Sequence, residues 1–227
     1  MDIFSLGGVI LDLLKTVVAF WNDKVSLVFE LLGQSPTEFK GGGPWRVISD
    51  IEPIFVGVGS SLVVLFFVIG FCSESIDVKE EIRFETVLRM LMRLSISEWL
   101  VANNVTIMKA FFESIGALVG LITNSGSPKL KIPNEQQEII EGLGFGESLL
   151  AVIIALVIIF CGFMLIYTVY FRFLKILVIV PFGAIAFSTT SGNRMVSHTA
   201  VTYAKHFLAV LLEAVTMALA IIVCNAF

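Results

Sequence analysis

The sequence predicts an all-α membrane protein, with about five transmembrane helices preceded by an amphipathic helical region. Three observations predict it. Hydrophobic residues make up 57% of the 227 positions and charged residues 15%, with a mean hydropathy of +0.94. Soluble domains sit near roughly 45–50% apolar and about 25% charged, so a water-soluble core cannot absorb the excess. Residues 53–73, 148–171 and 176–193 contain no Lys, Arg, Asp or Glu. Each is close to the ~20 residues that a helix rising about 1.5 Å per residue needs to cross a ~30 Å hydrocarbon layer. The runs also lack the alternating polarity that a membrane strand requires.

Residues 1–50 form the amphipathic N-terminal region, and residues 51–227 the helical bundle. Ile3, Leu6, Ile10, Leu13, Leu14, Val17, Trp21, Val25, Val28 and Leu32 recur at helical spacing, with Asp12, Lys15, Asp23 and Glu30 opposite them. Such a helix, or pair of helices, belongs in the membrane interface or on a docking surface. Pro36, Gly41, Gly42, Gly43 and Pro44 break the chain before the first span, at about 52–72. Trp45 and Arg46 are expected as interfacial anchors. The chain starts Met1-Asp2-Ile3 with no basic segment and no cleavage site of small residues, so insertion is assigned to the internal spans.

Residues 74–99 are charged and periodic, with Glu85, Arg89 and Arg93 one turn apart, a pattern expected on a solvated or headgroup-facing side. They lead into a more polar second span at about 98–123. Lys109 and Glu113 are one turn apart there and placed to neutralise each other, and Gly116 and Gly120 form a GxxxG pair for close helix packing. Residues 124–147 form the main extramembrane loop. The third span, 148–171, ends in Tyr167, Tyr170 and Phe171, an aromatic belt. A fourth segment, 173–190, is interrupted by Pro181 and Gly183 and predicts a broken or re-entrant helix. The last span, about 205–227, is apolar apart from Glu213. No internal repeat is visible.

Charge and cysteine usage exclude some classes. The net charge of −4 argues against a dedicated nucleic-acid-binding face. Cys72, Cys161 and Cys224 fall within or beside apolar segments and are expected as small buried hydrophobes. Near the span ends six basic residues fall on either side, so the positive-inside rule leaves orientation open.

Catalytic chemistry finds little footing. The two histidines, His198 and His206, lie eight residues apart, with no zinc-binding, nucleophile-elbow, phosphate-loop or dinucleotide motif. No enzyme activity, cofactor or metal is expected. A carboxylate in a span must face protein or water, so Glu213 is a candidate for assembly or for lining a path; packing the helix is the alternative. His206 precedes it by seven residues on the same face, and Arg172, Lys175 and Lys109 are candidates to approach it from other helices. Pro181 removes a helical hydrogen bond and frees a carbonyl, which marks either a kink or a wet cavity. The Ser/Thr tract after it fits an aqueous path or a surface loop equally.

Several features occur in one order: the Pro/Gly break with Trp45, a first span ending Leu65-Phe66-Phe67-Val68-Ile69-Gly70, and residues 88–94 with two arginines. Tyr170-Phe171-Arg172-Phe173-Leu174-Lys175, the apolar run broken at Pro181, Tyr203-Ala204-Lys205 and Leu211-Leu212-Glu213 follow. The series, over nearly the whole chain, resembles TrbL-like polytopic membrane subunits of type IV secretion systems, particularly short forms from conjugative elements of Gram-positive bacteria. The resemblance implies a multi-pass subunit in the cytoplasmic membrane, with the N-terminus outside and the C-terminus inside. It implies self-association, other secretion subunits including ATPases as partners, and a part in DNA and protein export. Contact with transferred DNA would carry no sequence specificity. Arg172, Pro181 and Glu213 occupy the motif positions, and assembly or channel importance carries to them. The chain lacks the large extracytoplasmic and hydrophilic C-terminal domains of longer relatives. From another class comes an independent secondary transporter or ion channel, using Glu213 and His206.

Overall fold

The computed structural model of the chain describes residues 6–77, 84–123, 130, 132–133, 145–192 and 194–226, and every regular element among them is helical. They are α1 (Leu6–Gly33), a 3-10 turn (Phe39–Gly42), α2 (Gly43–Asp77), α3 (Phe84–Ala102), α4 (Asn104–Thr123), α5 (Phe145–Ser188), a second 3-10 turn (Thr189–Ser191) and α6 (Arg194–Ala226).

Among the described residues, four helical stretches are long and apolar enough to cross a membrane: Phe39–Ser73, Asn104–Thr123, Gly146–Ser191 and Val196–Cys224. The expected number was about five. The difference lies at 173–190, which is no separate span but the continuation of 148–171 within α5. No turn residue separates the two, and the helix runs through Pro181. At about 1.5 Å per residue, a crossing of a ~30 Å layer uses only part of this helix. The span expected at 98–123 is also divided. Asn103 is a turn residue between α3 and α4. Its side-chain amide donates to the Trp99 carbonyl at 2.9 Å, the same oxygen that accepts its backbone N–H at 3.0 Å. Back-bonding of this kind slightly destabilises a helix and bends it.

The chain forms two compact units that interleave in sequence. The first comprises Met1–Gly33, Ala117–Phe171 and Ala214–Phe227, and the second Gln34–Gly116 and Arg172–Glu213.

In the first unit, α1 follows its periodicity except at Leu13, which is exposed. Val17, Val25, Val28 and Leu32 are buried, and Asp12, Lys15, Asp23 and Glu30 are exposed. The helix docks on its own chain. Phe20 meets Phe163 with ring centroids 5.5 Å apart, and a Cβ on Gly162 would stand 3.0 Å from the Phe20 ring. Asn22 holds Leu130 by both backbone groups, donating to its carbonyl and accepting its N–H, both at 2.8 Å. Leu156, Phe160 and Tyr167 form an outward stripe on α5, and Tyr167 stacks on Phe171 with ring centroids 6.0 Å apart. Among the described residues nothing lies within 4 Å of a Cβ placed on Gly120.

The second unit has a continuous apolar core. Trp45, Val105, Met108, Phe112, Ile176, Val180, Phe207 and Leu211 pack together from α2, α4, α5 and α6. Trp45 is therefore a core residue and not an interfacial anchor; its ring meets the Phe112 ring edge-on at 5.9 Å. The Pro/Gly break does what its composition demands. Lys40, Gly41 and Gly42 all have positive φ, which glycine adopts without strain. Pro44 sits in the first turn of α2, where its missing N–H costs no helical bond. Next to this core, Val63, Val101 and Ala184 close a smaller cluster. There α2 and α5 approach so closely that a Cβ on Gly59 would stand 2.9 Å from the Ala184 carbonyl oxygen.

The three cysteines are exposed, contrary to expectation. An apolar helix in lipid has apolar surroundings on its outer face too, so an apolar context in sequence does not mark a side chain as inward.

Candidate functional site

The most constrained polar arrangement lies in the second unit around Pro181 and Gly183. Proline has no N–H, so the Leu177 carbonyl loses its helical donor, and the ring crowds the turn before it. Side chains from two other helices reach this turn. Asn104, wholly buried at the start of α4, donates from Nδ2 to the Val180 carbonyl at 3.0 Å. Tyr203 of α6 donates its hydroxyl to the Ile179 carbonyl at 2.9 Å. Gly183 makes room for both. A Cβ there would overlap the Asn104 amide oxygen and stand 2.9 Å from the Tyr203 hydroxyl. Three helices are thus locked at one level by two bonds that depend on one glycine. Asn104 Oδ1 itself has no hydrogen-bond partner among the described residues.

The Ser/Thr tract after this turn is bonded rather than open. Ser188, Thr189 and Thr190 return their hydroxyls to the carbonyls three residues back, at 2.6 to 2.7 Å. Ser191 donates to the Val63 carbonyl of α2 at 2.9 Å, and Thr190 shares a 2.6 Å hydroxyl contact with Ser97 of α3. The hydroxyls satisfy the end of α5 and tie it to its neighbours. Beside them is a small cavity of about 330 Å³ lined by Arg93, Thr190, Gly192 and Ser197. Arg89 pairs with Glu85 at 3.2 Å on the exposed side of α3.

The charged candidates form a second group. Lys175 Nζ lies 3.9 Å from Glu213 Oε2, with both side chains more than a third exposed. Glu213 therefore meets a cation on α5, as the sequence suggested. Arg172, one turn before Lys175, is 3% exposed. Its Nε and Nη1 have no hydrogen-bond partner among the described residues, and its Cζ stands 5.3 Å from the centroid of the Phe173 ring. Phe173 stacks on Phe39 at 4.1 Å. Lys109 lies over the Trp45 ring at 5.5 Å, and no ion pair joins it to Glu113; both are exposed. His206 is exposed on α6.

Asn104 and Tyr203 were not singled out as site residues from sequence. Each nonetheless carried a signal: an Asn pair at the weakest point of a span, and a lone tyrosine in the last helix. The described residues include no cluster of three or more His, Cys, Asp or Glu able to hold a metal ion. Comparison with protein-family models, with curated proteins and with solved structures finds no match to this chain.

Proposed function

We propose that the chain is an integral subunit of a type IV secretion system in the cytoplasmic membrane, serving DNA and protein transfer by assembling with other subunits. The observation that carries this reading is the ordered series of motifs running from Trp45 to Glu213, over nearly the whole chain. The helical architecture, with four stretches able to cross a membrane, is compatible with it. The polar residues of the second unit support a structural role. Asn104, Tyr203, Ser191 and Thr190 spend their hydrogen bonds on joining helices. In this reading energy comes from partner ATPases, DNA contact carries no sequence specificity, and copies of the chain associate with each other.

Purification from native membranes in mild detergent, followed by mass spectrometry, tests the proposal. It predicts a large complex containing further copies of the chain and other secretion subunits. A lone monomer that transports a small solute in liposomes would contradict it and favour a transporter. In that case Glu213 and His206 would act separately, since seven residues along one helix set them about 10 Å apart.

A further inference from the structure

Arg172 presents an imbalance that the described residues do not resolve. Its guanidinium is buried, and Nε and Nη1 carry three of the five N–H donors of an arginine. A buried cation with unfilled donors is costly, and such groups are normally paired. Lys175, three residues on, adds a second positive charge on the same side of α5. The carboxylate that the structure sets beside them is Glu213, and it stands at the outer limit of an ion pair with Lys175. Among the described residues, Arg172 and Lys175 set two cations against this one carboxylate, which leaves one positive charge over.

We propose that Arg172 and Lys175 form a binding site for one phosphate-bearing anion, the phosphodiester of a membrane phospholipid or inorganic phosphate. A phosphodiester carries the one negative charge that balances the group. Its oxygens accept from a guanidinium in fixed geometry and from an ammonium as a point charge. Basic groups set between membrane helices recognise lipid headgroups by this chemistry. The surroundings suit a lipid. Leu174, Val178 and Leu212 are 57%, 60% and 45% exposed beside the charged pair, an apolar surface on which acyl chains can lie. The site does not depend on the secretion reading, because it is measured on the isolated protein.

The test compares full-length wild type, Arg172→Gln, Arg172→Lys, Lys175→Gln and Glu213→Gln, each checked for helical content and a single gel-filtration peak. Native mass spectrometry after detergent exchange counts retained phospholipid, and calorimetry of the delipidated protein measures inorganic phosphate binding. One phospholipid per wild-type chain is expected. Occupancy or affinity falls about tenfold or more in Arg172→Gln, since charge-assisted hydrogen bonds are lost. Lys175→Gln shows a smaller loss, and Glu213→Gln, freed of the competing carboxylate, binds more tightly. Inorganic phosphate binding without lipid retention, lost in Arg172→Gln, supports the site and assigns the free anion as its ligand. Wild type that holds neither anion overturns the proposal, as does folded Arg172→Gln that binds like wild type. Should Arg172→Gln not fold, unchanged binding in Lys175→Gln overturns it.

Discussion

Replacing Gly183 with alanine tests the lock around Pro181 by setting two opposed effects against each other. In an unconstrained helix the change stabilises by about 1 kcal/mol, because alanine loses less backbone freedom. At Gly183 the added methyl overlaps the Asn104 amide oxygen and stands 2.9 Å from the Tyr203 hydroxyl. Overpacking of this kind costs about 1–3 kcal/mol. Displacing the side chains also weakens their bonds to the Val180 and Ile179 carbonyls, each worth roughly 0.5–1.5 kcal/mol. Combining the terms gives a net loss of about 1–5 kcal/mol. The assay is unfolding in detergent micelles followed by circular dichroism, with Gly120→Ala as the internal control. Nothing lies within 4 Å of a Cβ at Gly120, so that variant is expected to be neutral or slightly stabilised. The double variant Gly183→Ala with Asn104→Ala should recover part of the loss by removing the overlap. Gly183→Ala as stable as Gly120→Ala would refute the reasoning.

Further outcomes follow from the same geometry. Gly59→Ala should also destabilise, because its Cβ would press on the Ala184 carbonyl and the Val101 side chain; the same unfolding assay checks it. Ser191→Ala removes the bond to the Val63 carbonyl and should cost about 1 kcal/mol, read in the same way. Asn22→Ala removes both bonds to Leu130, and limited proteolysis should then cut near residue 130 faster than in wild type. Glu213→Gln should destabilise the isolated chain by about 1 kcal/mol or more, since its pairing with Lys175 is long and partly exposed but it is also the carboxylate beside the buried Arg172. A larger defect in complex assembly, measured by co-purification, is expected from that variant.

The helical class and the apolar spans were legible because each run declares itself through length and missing charge, as at 148–171. The amphipathic face of α1 was legible for the same local reason: Val17, Val25, Val28 and Leu32 share one side of a single helix. Continuity through Pro181 was not. A proline signals a lost hydrogen bond, but whether the helix breaks there depends on how the surrounding helices pack, and the side chains that reach this turn, Asn104 and Tyr203, lie about 80 and 20 residues away in sequence. Trp45 failed for a related reason, since an aromatic beside a span fits an interface and a core equally until Phe112 is known to face it. The pairing of Glu213 with Lys175 was foreseen as one of several options; the burial of Arg172 was not, because burial is a property of the assembled helices.

The central claim, a membrane subunit serving conjugal transfer, is tested most directly by the frequency of DNA transfer from donor cells lacking the chain. The account predicts loss of transfer that wild-type protein restores in trans, with Gly183→Ala restoring it less well. Transfer at the wild-type frequency in its absence would contradict it.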